Sequence, residues 1–412
     1  MLDIKFIREN SELVKKNNLT RNVKVDVDEL LKNDSLFIKY SGERDLLRAG
    51  LNAGSKTKPT PEQIKNNRKI GEEIRTLEVK TEEAKNKRYE LLIKIPNIND
   101  PTTPIGKDDG ENKVVRTNGD MPVFEFPVKE HFDVEHAKEG IDMERGAKTS
   151  GSRFYYLKGK MAVLERAIMQ YAVDFMTNKG FELVLPPILV KESAMYGTGF
   201  FPADKNEVYS VNPGDDNLFL IGTSEVPMIF MHSDEVLDES FLPKKYVAIT
   251  PCFRRESGSY GKDTKGLFRV HQFYKVEMVV FSTPDQSPTL HDELLKIEEE
   301  FISSLGLHYQ VVNVCSGDLG FPAAKKFDCE GWFPGQGRYR ELTSTSNTTD
   351  YQARRSNIKF KQKDGKRLFA HTLNGTVSSD RPLLAIIENN QQSDGTVVIP
   401  KVLQKYTNFD KL

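Results

Sequence analysis

The sequence predicts an α+β chain. An antiparallel pair of helices forms a coiled-coil arm near the N-terminus, and a larger unit follows, built on a mostly antiparallel sheet flanked by helices. Three observations carry this expectation. A polar stretch from about Leu36 to Ile95, rich in Lys and Glu and poor in aromatics, holds a narrow apolar seam. The stretch "IPNINDPTTPIGKDDG" breaks that pattern with prolines and glycines. Beyond it, aromatic and β-branched residues rise into short alternating runs, the period of a strand. The expected domains are therefore 1–105, with the arm at about 36–95, and 106–412.

The bulk numbers agree with two units. At 412 residues the chain exceeds one ordinary domain. A hydrophobic content of 38% and a charged content of 29% suit a soluble globular protein with one highly charged part. The net charge of −1 gives no global basic field, so any nucleic-acid contact must come from local patches. Cys252, Cys315 and Cys329 form neither a CxxC pair nor a disulfide framework. A reducing, cytoplasmic setting is expected, with each cysteine a buried small apolar residue. The charged N-terminus, "MLDIKFIRENSELVKK", lacks an apolar core of signal-peptide length. No apolar run reaches the roughly 18 residues of a membrane span.

In the arm, Ile70, Ile74, Leu77, Thr81, Ala84, Arg88, Leu91 and Ile95 recur at steps of four and three, a coiled-coil period interrupted by Thr81 and Arg88. Leu36, Tyr40 and Leu47 keep a similar spacing in the first half, where Gly42, Gly50 and Gly54 lower helix propensity. "GSKTKPTPEQ", with Pro59 and Pro61, reads as the turn between two helices. The second helix would be roughly 50 Å long at 1.5 Å per residue. Charged faces around a narrow seam favour an exposed arm over a hairpin docked on the body.

The second unit offers "FYYLKG", "FELVLPPILV", "NLFLIGTSEV", "KYVAITPCF", "LFRVHQFYKVEMVVF", "YQVVNVC", "YRELTSTSN" and "LLAIIENN" as alternating runs, with helices at Lys160–Lys179 and Leu290–Leu305. Few βαβ units among many strands point to antiparallel pairing. The hairpin "FRRESGSYGKDTKGLFRVHQF" is the most informative stretch. On its returning arm, Phe268, Val270, Tyr274, Val276 and Met278 share a core face, with Gln272 breaking it. Arg269, His271, Phe273, Lys275 and Glu277 share the other. Arg254 and Glu256 share a face of the outgoing arm, and Gly258, Gly261 and Gly266 make the loop between permissive. Arginine forks suit phosphates, a carboxylate accepts from an exocyclic amine, and a phenyl ring offers a flat face to a purine. These are the parts of a nucleotide site in a chain with neither a GxxxxGK[ST] nor a GxGxxG motif. The alternative is an exposed strand face with scattered charge.

The hairpin resembles motif 2 of the class II aminoacyl-tRNA synthetases, in its seryl-tRNA synthetase form. The resemblance runs nearly the whole length, through "MLDIKFIREN", "TSGSRF", "YGTGFFP", "TSEVP", "TPCFR", "YRELTSTSN…QARR" and "HTLNG". It implies a class II catalytic sheet, a homodimer, and an N-terminal coiled coil that grips tRNA. It also implies roles. Pro187 in "LPPILV" matches the motif 1 proline of the dimer interface. Arg254 would hold the α-phosphate of ATP and the serine carboxylate, and Glu256 would read the adenine amine. Phe273 would stack on the ring and Arg269 meet the outer phosphates. Arg381 matches the motif 3 arginine. Glu341 and Ser344 resemble ligands of Mg²⁺, a hard ion that prefers oxygen. Thr223, Glu225, Glu277 and Thr376 resemble the serine pocket. His271 faces the site by parity and reads as structural.

The implied activity is that of a serine–tRNA ligase. L-serine is activated with ATP and Mg²⁺ to seryl-adenylate, pyrophosphate leaves, and serine passes to the 3′ end of tRNA(Ser), with tRNA(Sec) a second candidate acceptor. Two alternatives are a paralogue without aminoacylation, which would lose motif residues, and a ligase for a carrier protein, which would lack the arm. A threonine-specific relative would use a zinc site, and the sequence displays no convincing Cys/His cluster. Two departures from the family pattern stand out. Val377 and Asp380 occupy positions where glycines are common, and Asp380 is expected to cap the helix "RPLLAIIENN" while placing a negative charge beside Arg381. The three glycines of the first arm helix are expected to soften it.

Overall fold

The computed structural model describes residues 1–53, 60–257 and 266–412. The expected turn with Lys56, Lys58 and Pro59, the arm glycine Gly54, and the loop glycines Gly258 and Gly261 lie outside the described residues. Two compact units divide the chain, Met1–Pro96 and Asn97–Leu412. The division precedes the expected boundary near residue 105 because residues 97–103 are bonded into the second unit. The Asn97 side chain donates to the carbonyls of Pro322 at 2.9 Å and Thr348 at 2.8 Å, and the Asp100 amide to Ala324 at 2.9 Å.

The first unit is helical: α1 (Ile4–Glu9), α2 (Ser11–Thr20), α3 (Val27–Ala53) and α4 (Pro61–Leu92). The first arm helix starts at Val27 rather than near Leu36. The Asp26 carboxylate accepts from the Glu29 amide at 2.8 Å, a capping signal in "DVDE". The helix continues through Gly42 and Gly50, where an added Cβ would meet nothing within 4 Å. α4 starts on a full capping box, with Thr60 and Gln63 satisfying each other's backbone amides and Pro61 in the first turn. Ile74, Leu77, Thr81 and Ala84 are buried, the positions of the seam. Both polar interruptions are satisfied. The Thr81 hydroxyl donates to the Leu77 carbonyl at 2.6 Å. Arg88 lies 4.1 Å over the Phe37 ring and donates at 3.0 Å to Asp34, whose side chain is 2% exposed and also accepts from Arg8 at 2.5 Å. A buried carboxylate is tolerated only with such partners.

The second unit is built on eight strands: β1 (Lys113–Asn118), β2 (Glu182–Val184), β3 (Lys244–Phe253), β4 (Gln272–Ser282), β5 (Tyr309–Asn313), β6 (Lys325–Phe333), β7 (Arg338–Asn347) and β8 (His371–Ser379). Their order in the sheet is β1-β5-β6-β7-β8-β4-β3-β2. Each neighbouring pair is antiparallel except β2 with β3. Three helices cover the sheet: α5 (Gly159–Asn178), α6 (Ser287–Ser304) and α7 (Arg381–Asn389). Their apolar faces, among them Leu164, Ile168, Leu294, Phe301, Leu384 and Ile387, join Val276, Met278 and Val311 of the strands in one core. Burying each large aliphatic side chain contributes about 1.5–3 kcal/mol. Among the described residues no helix is long and apolar enough to cross a membrane.

Several runs resolve differently from the expectation. "LLAIIENN" is helix α7, and "NLFLIGTSEV" gives a strand only to Leu220 before a helix at Glu225–Phe230. "KKFDCEGWF", which alternates weakly because of its charges, is strand β6. Tyr274 is 44% exposed rather than core, because it borders an open cleft of about 400 Å³ shared with Tyr155 and Glu165.

Candidate active site

The strand order decides where the functional side chains meet. Arg254 follows the last residue of β3. Phe273, Lys275 and Glu277 sit on β4, which pairs with β3 on one side and β8 on the other. Glu341 and Ser344 sit on β7, which pairs with β8, and Arg381 opens α7 two residues after β8 ends. Segments distant in sequence thus converge on a cavity of about 440 Å³ lined by Arg254, Glu256, Arg269, Phe273, Lys275, Glu341, Ser344, Thr376 and Arg381.

Charge pairing orients one half of this cavity. The Arg254 Nε donates to the Gly222 carbonyl at 3.3 Å, and its guanidinium lies 5.2 Å from the Phe273 ring centre. Glu256 adopts a left-handed conformation, φ +50°, costly for a residue with a side chain, and its carboxylate lies 3.3 Å from Arg269. Arg381 lies 3.2 Å from the Glu341 carboxylate and donates to its carbonyl at 2.9 Å. Enclosure by protein raises the Glu341 pKa, but Arg381, Lys326 and Arg254 outweigh it and hold the group at about 2. The Glu341 side chain keeps 39% exposure because it faces the cavity. The Arg340 and Arg381 guanidinium groups lie 3.4 Å and 4.9 Å over the Phe268 ring.

The other half is a small polar cluster behind the cavity wall. The Lys275 ammonium donates to the Thr223 hydroxyl at 2.7 Å and pairs with Glu277 at 2.6 Å. The Thr376 hydroxyl donates to the other side of this network, to Glu277 at 3.1 Å. Thr223 and Glu277 are buried, reached through Lys275 and Thr376. Glu225 lies deeper, accepting from Gln352 at 2.7 Å and Asn374 at 3.0 Å. Burial, and then repulsion by Glu277, push it up to about 7. Pro187 stands apart, exposed in the link between β2 and the strand Leu189–Lys191.

The full matches decide the family. Residues 1–99 match the model of the seryl-tRNA synthetase N-terminal domain, and residues 207–390 that of the tRNA synthetase class II core domain (G, H, P, S and T). A serine–tRNA ligase of Pyrococcus horikoshii is 42% identical over 446 residues, covering 100% of this chain and 97% of the relative. The chain belongs to the seryl-tRNA synthetase family. The crystal structure of the Pyrococcus horikoshii seryl-tRNA synthetase complexed with ATP superposes with a TM-score of 0.93 at 42% identity, covering 100% and 99% of the two chains. That of the cytoplasmic serine–tRNA ligase of Naegleria fowleri, in complex with AMP, gives 0.88 at 34% identity, covering 100% and 98%.

Among the lining residues beyond the predicted set are Lys275 and Glu207. Lys275 holds Glu277 and Thr223 in place, and its signal was parity: the strand period puts it on the same face as Glu277. Glu207 lines the cavity and accepts from the Ser257 amide at 3.0 Å, tying down the start of the hairpin loop. It carries no sequence signal, because its partner is 50 residues away. His271 is structural, its ring nitrogen 2.9 Å from the Arg254 carbonyl.

Asp380 corrects an expectation about this synthetase. It makes no side-chain cap to α7; the Ser379 hydroxyl accepts from the Arg381 amide instead, at 3.3 Å. The Asp380 carboxylate is directed at the Tyr155 hydroxyl and at the Tyr274 amide, 3.0 Å away. Burial raises its pKa. Burial first, and then the Asp380 charge, raise the adjoining Glu165 well above the carboxylate range. Asp380 thus commits its hydrogen bonds to Tyr155 and Tyr274 rather than to a cap, while its charge stays beside Arg381 in the cavity lining.

Proposed function

We propose that this cavity forms seryl-adenylate from L-serine and ATP and then passes serine to the 3′ end of tRNA(Ser). The observation that carries this reading is one cavity with two chemistries. Arg254, Arg269 and Arg381 line it, and the polar cluster of Lys275, Glu277, Thr223 and Thr376 adjoins it through the wall formed by Lys275 and Thr376. Arg254 holds the α-phosphate and the serine carboxylate, Arg269 and Arg381 the outer phosphates. Glu256 reads the adenine amine and Phe273 stacks on the ring. A serine carboxylate oxygen forms a bond to the α-phosphorus as the bond to pyrophosphate breaks. The tRNA hydroxyl then attacks the carbonyl carbon, losing its proton, and AMP leaves. The protein positions these groups and neutralises charge without a covalent bond of its own to substrate.

Glu341 and Ser344 fit a place for Mg²⁺. An ionised carboxylate and a hydroxyl line the same cavity, the oxygen donors a hard ion takes. Among the described residues no group of three or more His, Cys, Asp or Glu is set to hold a metal, so phosphate oxygens would complete the shell. Mg²⁺ bound there supplies charge neutralisation at the phosphates. The arm, with its exposed cations, binds the tRNA backbone. tRNA(Sec) is a second acceptor, tested by charging both transcripts in parallel. Three buried, unpaired cysteines support a reducing cytoplasm as the place of action. The two alternatives lose support, since the motif residues are present and residues 1–99 match the family's N-terminal domain.

The serine assignment is tested by Glu277→Ala. The variant is expected to lose roughly 100-fold in serine affinity, because Lys275 is left buried without its carboxylate, while ATP binding stays nearly unchanged. Separate calorimetric titrations of ATP and serine measure this. Loss of ATP binding with serine binding kept sinks the assignment.

The chain acts as a homodimer through the face around Pro187. Exposed Leu183, Leu185 and Leu189 flank that proline, with Leu185 at 74% exposure. Sedimentation at micromolar concentration is expected to give a dimer, and Leu185→Glu a monomer. A monomeric parent protein contradicts this.

A further inference from the structure

A buried histidine outside the predicted set ties the hairpin to the helix of Arg381. His131 and Glu388 have side chains 1% and 0% exposed, with His131 Nδ1 2.9 Å from a Glu388 oxygen. The Glu388 carboxylate also accepts from the amides of His131 at 3.1 Å and Gly335 at 3.0 Å. The Leu267 amide donates to His131 Nε2 at 3.3 Å. An amide can only donate, so Nε2 accepts and the ring proton sits on Nδ1, donated to Glu388. Leu267 is followed by Phe268 and Arg269, and all three line the cavity. Glu388 lies in the same helix as Arg381, two turns further on. Gly266, at φ +70°, is fitted to this contact: an added Cβ would lie 2.3 Å from His131 Nε2.

We propose that His131 is a positioning residue for ATP: through Glu388 and the Leu267 amide it fixes the return leg of the hairpin to the helix that carries Arg381, so that Arg269 and Arg381 meet the nucleotide phosphates in one frame. This rests on the cavity being the adenylation site. A misplaced arginine weakens phosphate binding without touching the serine cluster, whose Lys275, Glu277 and Thr376 are held by β4 and β8.

The test is serine-dependent ATP–pyrophosphate exchange with His131→Asn and His131→Gln. The Asn amide can replace the Nδ1 donor to Glu388 but leaves the Leu267 amide without an acceptor. The longer Gln places an oxygen near the Nε2 position. His131→Asn is expected to raise the KM for ATP about tenfold, with the KM for serine within about twofold, and His131→Gln, which keeps the acceptor for Leu267 but loses the donor to Glu388, to raise the KM for ATP by less. Gly266→Ala, which intrudes on the same hydrogen bond from the hairpin side, is expected to raise the KM for ATP alone and carries the test if His131→Asn does not fold. An unchanged KM for ATP in the folded variants, or equal rises for ATP and serine, overturns the proposal while leaving the adenylation reading intact. Absence of exchange in the parent protein overturns both.

Discussion

Replacing Arg254 by Ala is expected to lower serine-dependent ATP–pyrophosphate exchange by about 10²–10³-fold. The side chain stands where the two halves of the site join. Its Nε is committed to the Gly222 carbonyl and its plane lies over Phe273, so the fork is fixed before any substrate arrives. The remaining N–H groups can serve the two reacting partners at once, the serine carboxylate and the α-phosphate. A group that contacts both stabilises charge where it develops, and its loss lowers kcat more than it raises either KM. Arg254→Lys is expected to recover only part of the rate, since a point charge cannot bridge two acceptors in a plane or keep the Gly222 contact. Exchange rates against ATP and serine concentration decide it. A lysine variant with parental kcat contradicts the bridging role.

Shortening the arm is expected to separate the two half-reactions. Deleting residues 43–78 and closing the gap with a short turn keeps the Arg8–Asp34–Arg88 network and the approach of Lys80 to Tyr40. Adenylation should stay near the parental rate, because the residues assigned to it lie within the unit 97–412. tRNA charging should fall by roughly 10²–10³-fold, since the deletion removes exposed Lys65, Arg68, Lys69 and Arg75. Phosphate contacts release counterions, so charging by the full chain should weaken steeply with salt, and single Lys or Arg replacements on α4 should flatten that slope. The charges could instead serve only to solvate the coiled coil, as interleaved Glu72, Glu73 and Glu82 suggest. Unchanged charging by the shortened protein would establish that and remove the arm from the account.

Much of this architecture was legible because its signals are local. The seam of α4 was readable at Ile74, Leu77, Thr81 and Ala84 because a narrow buried stripe needs one period throughout. Arg254, Glu256, Arg269 and Phe273 were readable because a hairpin keeps its two arms close in sequence. What escaped depends on long-range pairing. β6 carries charges at Lys325, Lys326, Asp328 and Glu330, and its pairing with β5 and β7 tolerates them, so alternation alone was too weak. The start of α3 was missed because its cap, Asp26, lies upstream of the apolar spacing. Asp380 looked like a helix cap and a threat to Arg381. Its actual partners, Tyr155 and Glu165, sit more than 200 residues earlier. His131 and Glu388 gave no sign of each other across 257 residues.

This cavity is expected to activate serine and to select it by its hydroxyl. ATP–pyrophosphate exchange with a panel of serine, alanine, glycine and threonine tests it most directly. A site built to bond a hydroxyl rejects analogues that lack it, because its own buried polar groups are left unpaired. Threonine keeps the hydroxyl but adds a methyl group that serine lacks. Mg²⁺-dependent exchange driven by serine is expected, with alanine, glycine and threonine far weaker. Equal rates with alanine and serine would contradict it.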